Sequence, residues 1–401
     1  MGAVGVALST APGTAPSVRP ERRTLGGAGP EVSLVGLGTW GLGGLISRPI
    51  TAEAAVALLR AAFERGITIF DSSDSYGGGR AEVLLGAAFS AAGDRERVVY
   101  VTKAGYLPGL DGAQSVRRWD ANTSPDRGRW PVQDFSPAYL RWACELSLRR
   151  LQTDYIDAYL LHDPPPRVLR DRAPFDALRD LQREGKIRAY GVSSGAYGAA
   201  LAVRRHEAGV VMAPLSLLET DAVQELLPIA AGHGAAVLAR SPFGGGLLLD
   251  SVAAAAGSGR APAFAPFDQR NRVGADRLEA AAALGRRLEF LRAGTGGSLG
   301  AAAMRYVLAY PQVTTVVVGI MSDAELEAAL AAASPPYPDA TLRDRAYATA
   351  APPPARRALL RLARKGLWEG YFPESLAPRL AAVLARLRLA PADARAARSG
   401  S

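Results

Sequence analysis

Ile67-Thr68-Ile69-Phe70-Asp71-Ser72-Ser73-Asp74-Ser75-Tyr76-Gly77 is the stretch that decides the fold. Its first four residues, apolar or β-branched, read as a short buried strand, and the polar, glycine-ended run that follows reads as a turn. The same unit recurs outward in both directions. Strand-like runs stand at Leu34–Leu37, Ile67–Phe70, Val98–Thr102, Tyr155–Leu161, Ile187–Val192, Val210–Leu215, Ala235–Ala239 and Thr314–Val318. Helical patterns lie between them at 52–65, 80–92, 137–151, 173–184, 196–207, 221–232 and 276–309, with 323–333 closing the series. Thr51 and Ser136 read as N-caps, and Pro137 suits a first helical position. Eight such alternations over about 300 residues predict an α/β protein, a (β/α)8 TIM barrel. A doubly wound sheet is the competing arrangement. It would want a glycine-rich phosphate loop and an acidic residue about 20 positions on, and Gly38-Thr39-Trp40-Gly41-Leu42-Gly43 lacks the second part.

The length of 401 residues suits one such barrel with extensions. Hydrophobic residues make up 48% and charged residues 21%, which excludes wholesale disorder. One cysteine, Cys144, excludes a disulfide framework and an all-cysteine metal site, and three histidines exclude a His-rich one. No apolar run qualifies as a membrane span and no signal peptide is evident, so a reducing, cytoplasmic compartment is expected. Residues 1–22 read as a flexible leader, 23–333 as the barrel and 334–401 as a Pro-punctuated, basic helical extension. From Asp339 onward, 12 Lys/Arg face five acids, so seven of the nine net positive charges sit there. No nucleic-acid motif accompanies them, and the expected reading is a solvated helical face. Two long segments after strands, 105–135 with Trp119 and Trp130, and 244–275, are expected to wall a substrate site.

The ends of three neighbouring strands carry unusual chemistry. Asp71 follows the second run and Tyr76 lies just beyond it; Lys103 ends the third run and His162 the fourth. In a parallel barrel every strand end opens on one face, so these four side chains converge. A carboxylate beside an ammonium keeps it charged, and the ammonium in turn favours phenolate and lowers a nearby phenol's pKa. An imidazole opposite orients a carbonyl oxygen. This set protonates or stabilises an oxygen that gains negative charge. It has no activated nucleophile and no source of hydride, and a nicotinamide cofactor would supply that.

The chain resembles the aldo/keto reductase superfamily. The matching motifs are Val35-Gly36-Leu37-Gly38-Thr39-Trp40, Phe70-Asp71 through Gly79-Arg80, Val101-Thr102-Lys103 and Leu161-His162. They continue in family order with Arg188 to Ser193, Ser241-Pro242-Phe243-Gly244-Gly245-Gly246-Leu247-Leu248 and Val317-Val318-Gly319. The resemblance implies reversible hydride transfer between NADP(H), or NAD(H), and a small carbonyl or alcohol substrate. Tyr76 would be the general acid/base, Lys103 paired with Asp71 would tune it, His162 would orient the substrate carbonyl and Trp40 would line the pocket. It also implies cofactor contacts from Gly38, Thr39, Asp71, Ser193 and Ser194, with Arg240 stacking on the nicotinamide. Ser241, Phe243, Gly244 and Gly245 would wrap the pyrophosphate, and Gly319, Met321 and Glu325 would meet the adenosine phosphate. Met321 stands where the family often has a basic residue, and Ala328-Ala329 where it has Glu-Asn. These departures and the basic tail leave a competing reading open: a weakly catalytic, nucleotide-binding regulatory or scaffold subunit.

Overall fold

The computed structural model describes residues 21–371 apart from 28, 45–49, 92, 108–132, 253–263, 265–270 and 272. Trp119, Trp130, most of the 244–275 segment, and the leader before residue 21 lie outside the described residues. So does the amphipathic 376–389.

A short antiparallel hairpin, β1 (Arg22–Thr24) and β2 (Glu31–Ser33), precedes the barrel. Eight parallel strands then close on themselves. They are β3 (Val35–Gly38), β4 (Ile69–Asp71), β5 (Val99–Ala104), β6 (Ile156–His162), β7 (Ile187–Ser193), β8 (Val210–Pro214), β9 (Ala236–Arg240) and β10 (Val313–Gly319). Sequence neighbours pair throughout, and β10 pairs with β3 to close the ring. The expected (β/α)8 barrel is therefore the fold.

The strand alternation sorts residues between two cores. Ile69, Val99, Val101, Ala158, Leu160, Val210, Met212, Ala236, Leu238 and Val317 form one cluster inside the barrel. Leu25 and Val32 of the hairpin join it from below and plug that end. The alternate residues Phe70, Tyr100, Tyr159, Val192, Val211, Val237 and Val316 belong to the larger core under the helices. Continuing the inward parity by one step past each apolar layer places Asp71, Lys103, His162, Ser193, Arg240 and Gly319 at the C-terminal mouth.

The helices α1 (Ala52–Glu64), α2 (Arg80–Phe89) and α3 (Pro137–Leu151) follow the first three barrel strands. Thr51 and Ser136 cap α1 and α3, accepting from Ala54 N and Tyr139 N as expected, each worth about 1 kcal/mol. After β6 come α4 (Pro166–Arg170) and α5 (Ala173–Arg183), and after β7 comes α6 (Ala196–His206). The expected helix 221–232 is two pieces, α7 (Asp221–Glu225) and α8 (Leu227–His233), because Pro228 fits only a first helical turn. The expected helix 276–309 likewise divides into α9 (Ala275–Arg287) and α10 (Leu299–Leu308), with Gly294, Gly296 and Gly297 at positive φ between them. Helix α11 (Asp323–Ala332) completes the barrel. The hairpin was not expected, and Arg22, read as part of the leader, is its first residue. Strands of three residues carry too little alternation to be seen in sequence.

Beyond the barrel, α12 (Ala340–Ala350) leads to α13 (Pro354–Trp368), which packs on α4 and α6. Its solvated-face expectation fails at Arg364. That guanidinium is buried and donates to Asp221 Oδ2 and Glu225 Oε1, both at 2.7 Å. Arg170 Nη1 donates to the carbonyls of Leu367 and Trp368 at 3.3 Å, satisfying the open end of α13. Gly198 leaves room for the Trp368 ring. A Cβ there would stand 2.9 Å from that ring and 2.5 Å from Ser194 Oγ. The extension is thus anchored beside the end of β7. Among the described residues no helix is long and apolar enough to cross a membrane.

Arg364→Ala leaves Asp221 and Glu225 without their shared cation. The docking of α13 is expected to weaken by about 2–3 kcal/mol, below the ~3–5 kcal/mol of a fully buried pair. Hydrogen exchange reads this as faster amide exchange over 354–368; unchanged exchange contradicts the anchor.

Candidate active site

The site is assembled from backbone bonds that tie strand ends together. Thr39 donates from both N and Oγ1 to the carbonyl of Asp71, each at 2.9 Å, so its hydroxyl is committed to holding β4. Ser72 N donates to Val101 O at 2.7 Å and Asp74 N to Lys103 O at 3.1 Å, which continues the β4–β5 ladder past the strand. The chain then turns through Tyr76–Gly79, and the turn brings the Tyr76 phenol back over β5.

Lys103 lies buried at the centre. Its ammonium donates to Asp71 Oδ1 and to Ser72 O at 2.6 Å each, and to the Tyr76 hydroxyl at 3.2 Å. All three N–H groups are thereby used. Burial alone would lower the Lys103 pKa, but Asp71 and Tyr76 carry it above the ordinary lysine value. Asp71 moves up, because burial outweighs the pull of Lys103. Tyr76 corrects a sequence expectation. Lys103 does favour its phenolate, yet burial is the larger effect and the net shift is upward. The resting group is a phenol that carries its proton.

His162 faces this set, its ring edge-on to Tyr76 with centroids 5.8 Å apart. Burial, then the cations Lys103 and Arg240, push its pKa well below the usual histidine value, so it is neutral. Its Nδ1 lies 3.0 Å from Ser73 Oγ. Four residues that sequence reading assigned no role frame it. Tyr106 stands edge-on at 4.8 Å and donates to Asp163 Oδ2 at 3.2 Å. Gln133 Nε2 donates to the carbonyls of His162 and Asp163 at 3.1 Å. Asp163 adopts φ 46°, and Arg240 Nη2 reaches within 3.9 Å of its carboxylate. Ser73 was within the quoted motif and Asp163 adjoins His162; Tyr106 and Gln133 lie on irregular chain, where no periodicity marks them.

The remaining expected residues fall into three places. Gly38 and Trp40 flank the end of β3, and Ser193 and Ser194 are buried at the end of β7. Ser241, Gly244, Gly245 and Gly246 follow β9 with φ of 59°, 58°, 69° and 87°, and Phe243 is buried among them. Within this run Gly244 N donates to Ser241 O at 2.8 Å and Gly246 N to Phe243 O at 3.1 Å. Gly319 is exposed at the end of β10, and Met321 N donates to Glu325 Oε2 at 2.7 Å beside the start of α11. Among the described residues no cluster of three or more His, Cys, Asp or Glu could hold a metal ion.

The family model described as the aldo/keto reductase family matches residues 34–344. The chain belongs to the aldo/keto reductase family. A curated relative, Aldo-keto reductase YhdN of Bacillus subtilis, is 31% identical over 217 residues, which is 52% of this chain. The match spans 58% of that relative's length. Two solved structures cover 83% of this chain and 97% of their own. They are the aldo-keto reductase AKR11C1 from Bacillus halodurans in its holo form, at 26% identity and TM-score 0.64, and the glycerol dehydrogenase AKR11B4 from Gluconobacter oxydans, at 25% and 0.65.

Lys103→Met strands the buried Asp71 carboxylate and is expected to lower folding stability by about 3–5 kcal/mol. Adding Asp71→Asn should return much of that, a coupling that urea unfolding of the two single variants and the double variant measures. A second test concerns acid. His162 keeps a depressed pKa when folded, so the unfolded chain binds its proton first as pH falls below about 6.5, and that contribution to stability is lost. The midpoint of urea unfolding should therefore fall less for His162→Asn than for wild type between about pH 7.5 and pH 5.5.

Proposed function

We propose that this chain is an NAD(P)H-dependent oxidoreductase that interconverts a carbonyl and an alcohol. The observation that carries the reading is a protonated phenol 3.2 Å from a buried, carboxylate-held ammonium, beside a neutral imidazole. The backbone run Ser241–Gly246 fits a pyrophosphate by its left-handed, glycine-rich turns: Gly244 N and Gly246 N close onto Ser241 O and Phe243 O, and the N–H groups between them would meet the phosphates. Ser193, Ser194, Arg240, Ser241, Phe243, Gly244, Gly245 and Gly319 would hold the nucleotide, with Gly38, Thr39 and Asp71 shaping the floor beneath it. The nicotinamide, when bound, supplies hydride.

The side chains supply the rest. Tyr76 donates its proton to the substrate oxygen as that oxygen gains negative charge. The Lys103 ammonium stabilises the phenolate left behind, and Asp71 keeps the ammonium fixed and charged. His162 aims at the same oxygen and sets the angle of the carbonyl. Arg240, partly exposed and 3.9 Å from Asp163, would offer a planar cation to the nicotinamide. Trp40 contributes apolar wall. In the reverse direction Tyr76 takes the alcohol proton through the same contacts. The barrel of residues 23–333 is the catalytic unit in this reading, and 334–401 is an appendage to it.

One observation favours NADH over the family's NADPH. The Glu325 carboxylate sits on Met321 N, where the resemblance would put the 2′-phosphate, and two anions there repel. Quenching of intrinsic Trp fluorescence measures both affinities. Tighter binding of NADH is expected; tighter binding of NADPH contradicts this role for Glu325.

Tyr76→Phe tests the function itself. Turnover of nucleotide with a panel of aldehydes, ketones and sugars should fall by about 10²–10⁴-fold, while nucleotide binding by fluorescence is retained. Wild type that binds nucleotide yet turns over no carbonyl or alcohol contradicts the reading.

A further inference from the structure

Behind His162 lies a buried polar chain that the mechanism above does not use. Ser73 Oγ is 3.0 Å from His162 Nδ1 and 3.1 Å from Asp74 Oδ1, and both Ser73 and Asp74 are buried. Ser73 Oγ also accepts from Ser75 N at 3.3 Å, and it stands 3.0 Å from Ser75 Oγ and 3.4 Å from Lys103 O. A hydroxyl has one proton to give and two lone pairs. Ser75 N takes one lone pair. The direction of the bonds to His162 and to Asp74 is then decided by Asp74, with Ser75 Oγ and the more distant Lys103 O as further neighbours. An ionised Asp74 draws the Ser73 proton, and Ser73 accepts from Nδ1–H. A neutral Asp74 donates to Ser73, and Ser73 donates to a bare Nδ1.

The cations and acids around Asp74 settle which. Two carboxyls, Asp74 and Glu82, are buried together with one cation, Arg150. Arg150 spends its guanidinium on Glu82 Oε2 at 3.1 Å, Gly78 O at 3.2 Å and the backbone carbonyl of Asp74 at 3.4 Å. Thr102 Oγ1 also donates to Glu82, at 2.7 Å. Burial raises the Glu82 pKa as well, but the bonds from Thr102 and Arg150 make Glu82 the better anion of the two. The Asp74 carboxyl has Ser73 Oγ at 3.1 Å on one oxygen and also receives the Ser75 N–H; on its other oxygen Tyr139 Oη stands 3.5 Å away, with its own proton drawn to Tyr106 O at 3.1 Å. Tyr139, and Tyr159 from β6, are neutral phenols within its electrostatic reach. Burial, and then repulsion from Glu82, raise the Asp74 pKa well above the usual carboxylate range, in agreement with the bond count.

We propose that Asp74 and Ser73 are positioning residues for His162: Asp74, as a neutral acid, donates to Ser73 Oγ, Ser73 donates to Nδ1, and the imidazole is held with its proton on Nε2. Nε2–H is then the donor that remains for the substrate oxygen. The inference rests on the function proposed above, and it adds a reason why His162 donates rather than accepts.

The chain contains three histidines, so ¹⁵N labelling of histidine in the full-length protein gives a spectrum that His162→Asn assigns at once. Wild type should show Nε2 protonated and Nδ1 bare at neutral pH. Asp74→Asn, whose amide can donate to Ser73 as the neutral acid does, should keep that pattern. Ser73→Ala should lose the fixed ring signal, and its kcat should fall by about 10- to 100-fold with nucleotide affinity unchanged, part of what a placed proton donor contributes. Ser73→Thr should restore both. A proton on Nδ1 in wild type, or a pattern that Asp74→Asn inverts, overturns the relay. If Ser73→Ala does not fold, the wild-type and Asp74→Asn spectra still decide. The spectra are read without substrate. An inverted ring in an enzyme that depends on Tyr76 sinks the relay alone, and the expected ring in an inert protein sinks the function alone.

Discussion

A lysine ammonium buried at the end of an inner strand governs much of this molecule. Removing a charge from water costs several kcal/mol unless it is paired and hydrogen-bonded. Lys103 meets that cost with a carboxylate, a carbonyl and a phenol, all supplied by residues 71–76. The requirement fixes the turn after β4 against β5. It also fixes the Tyr76 hydroxyl in the one place where an ammonium can stabilise its conjugate base. Stability and chemistry ask for the same geometry here, so the cluster resists piecemeal change.

The polar layer continues outward from that centre. His162 is kept neutral by burial and by the cations on two sides of it, Lys103 and Arg240. Ser73 and Asp74 extend the network behind the barrel mouth, and the Glu82–Arg150 pair lies beside them, with Arg150 reaching the Asp74 carbonyl at 3.4 Å. The left-handed run after β9 and the exposed end of β10 lie on the same face, as parallel strand ends must. On the far side of the mouth, α13 anchors its last turn to Arg170 and against Gly198, close to the Ser193-Ser194 strand end.

How much of this was legible in the chain follows from which forces are local. Alternating apolar residues in Val99, Val101 and Ala158, Leu160 mark an inward face, and Lys103 and His162 share their parity. The convergence of the four side chains could thus be read before any coordinates. Caps such as Thr51 and Ser136 are equally local. The net pKa of Tyr76 was not legible, because burial, the larger effect, is a property of the assembled mouth. The partners of Arg364 lie about 140 residues away, and nothing near it in sequence distinguishes it from a solvated arginine. Pro228 and Gly294–Gly297 are breakers by residue type, but helical periodicity runs on both sides of each and hides the break.

The account stands on Lys103 being a charged ammonium at its buried site. The chain has three lysines, so isotope labelling of lysine followed by NMR, with Lys103→Met for assignment, resolves its titration directly. Lys103 should hold its proton to a pH above the ordinary lysine value of about 10.4, and should release it earlier in Asp71→Asn. A neutral Lys103 near pH 7, or a titration that Asp71→Asn leaves in place, contradicts the account.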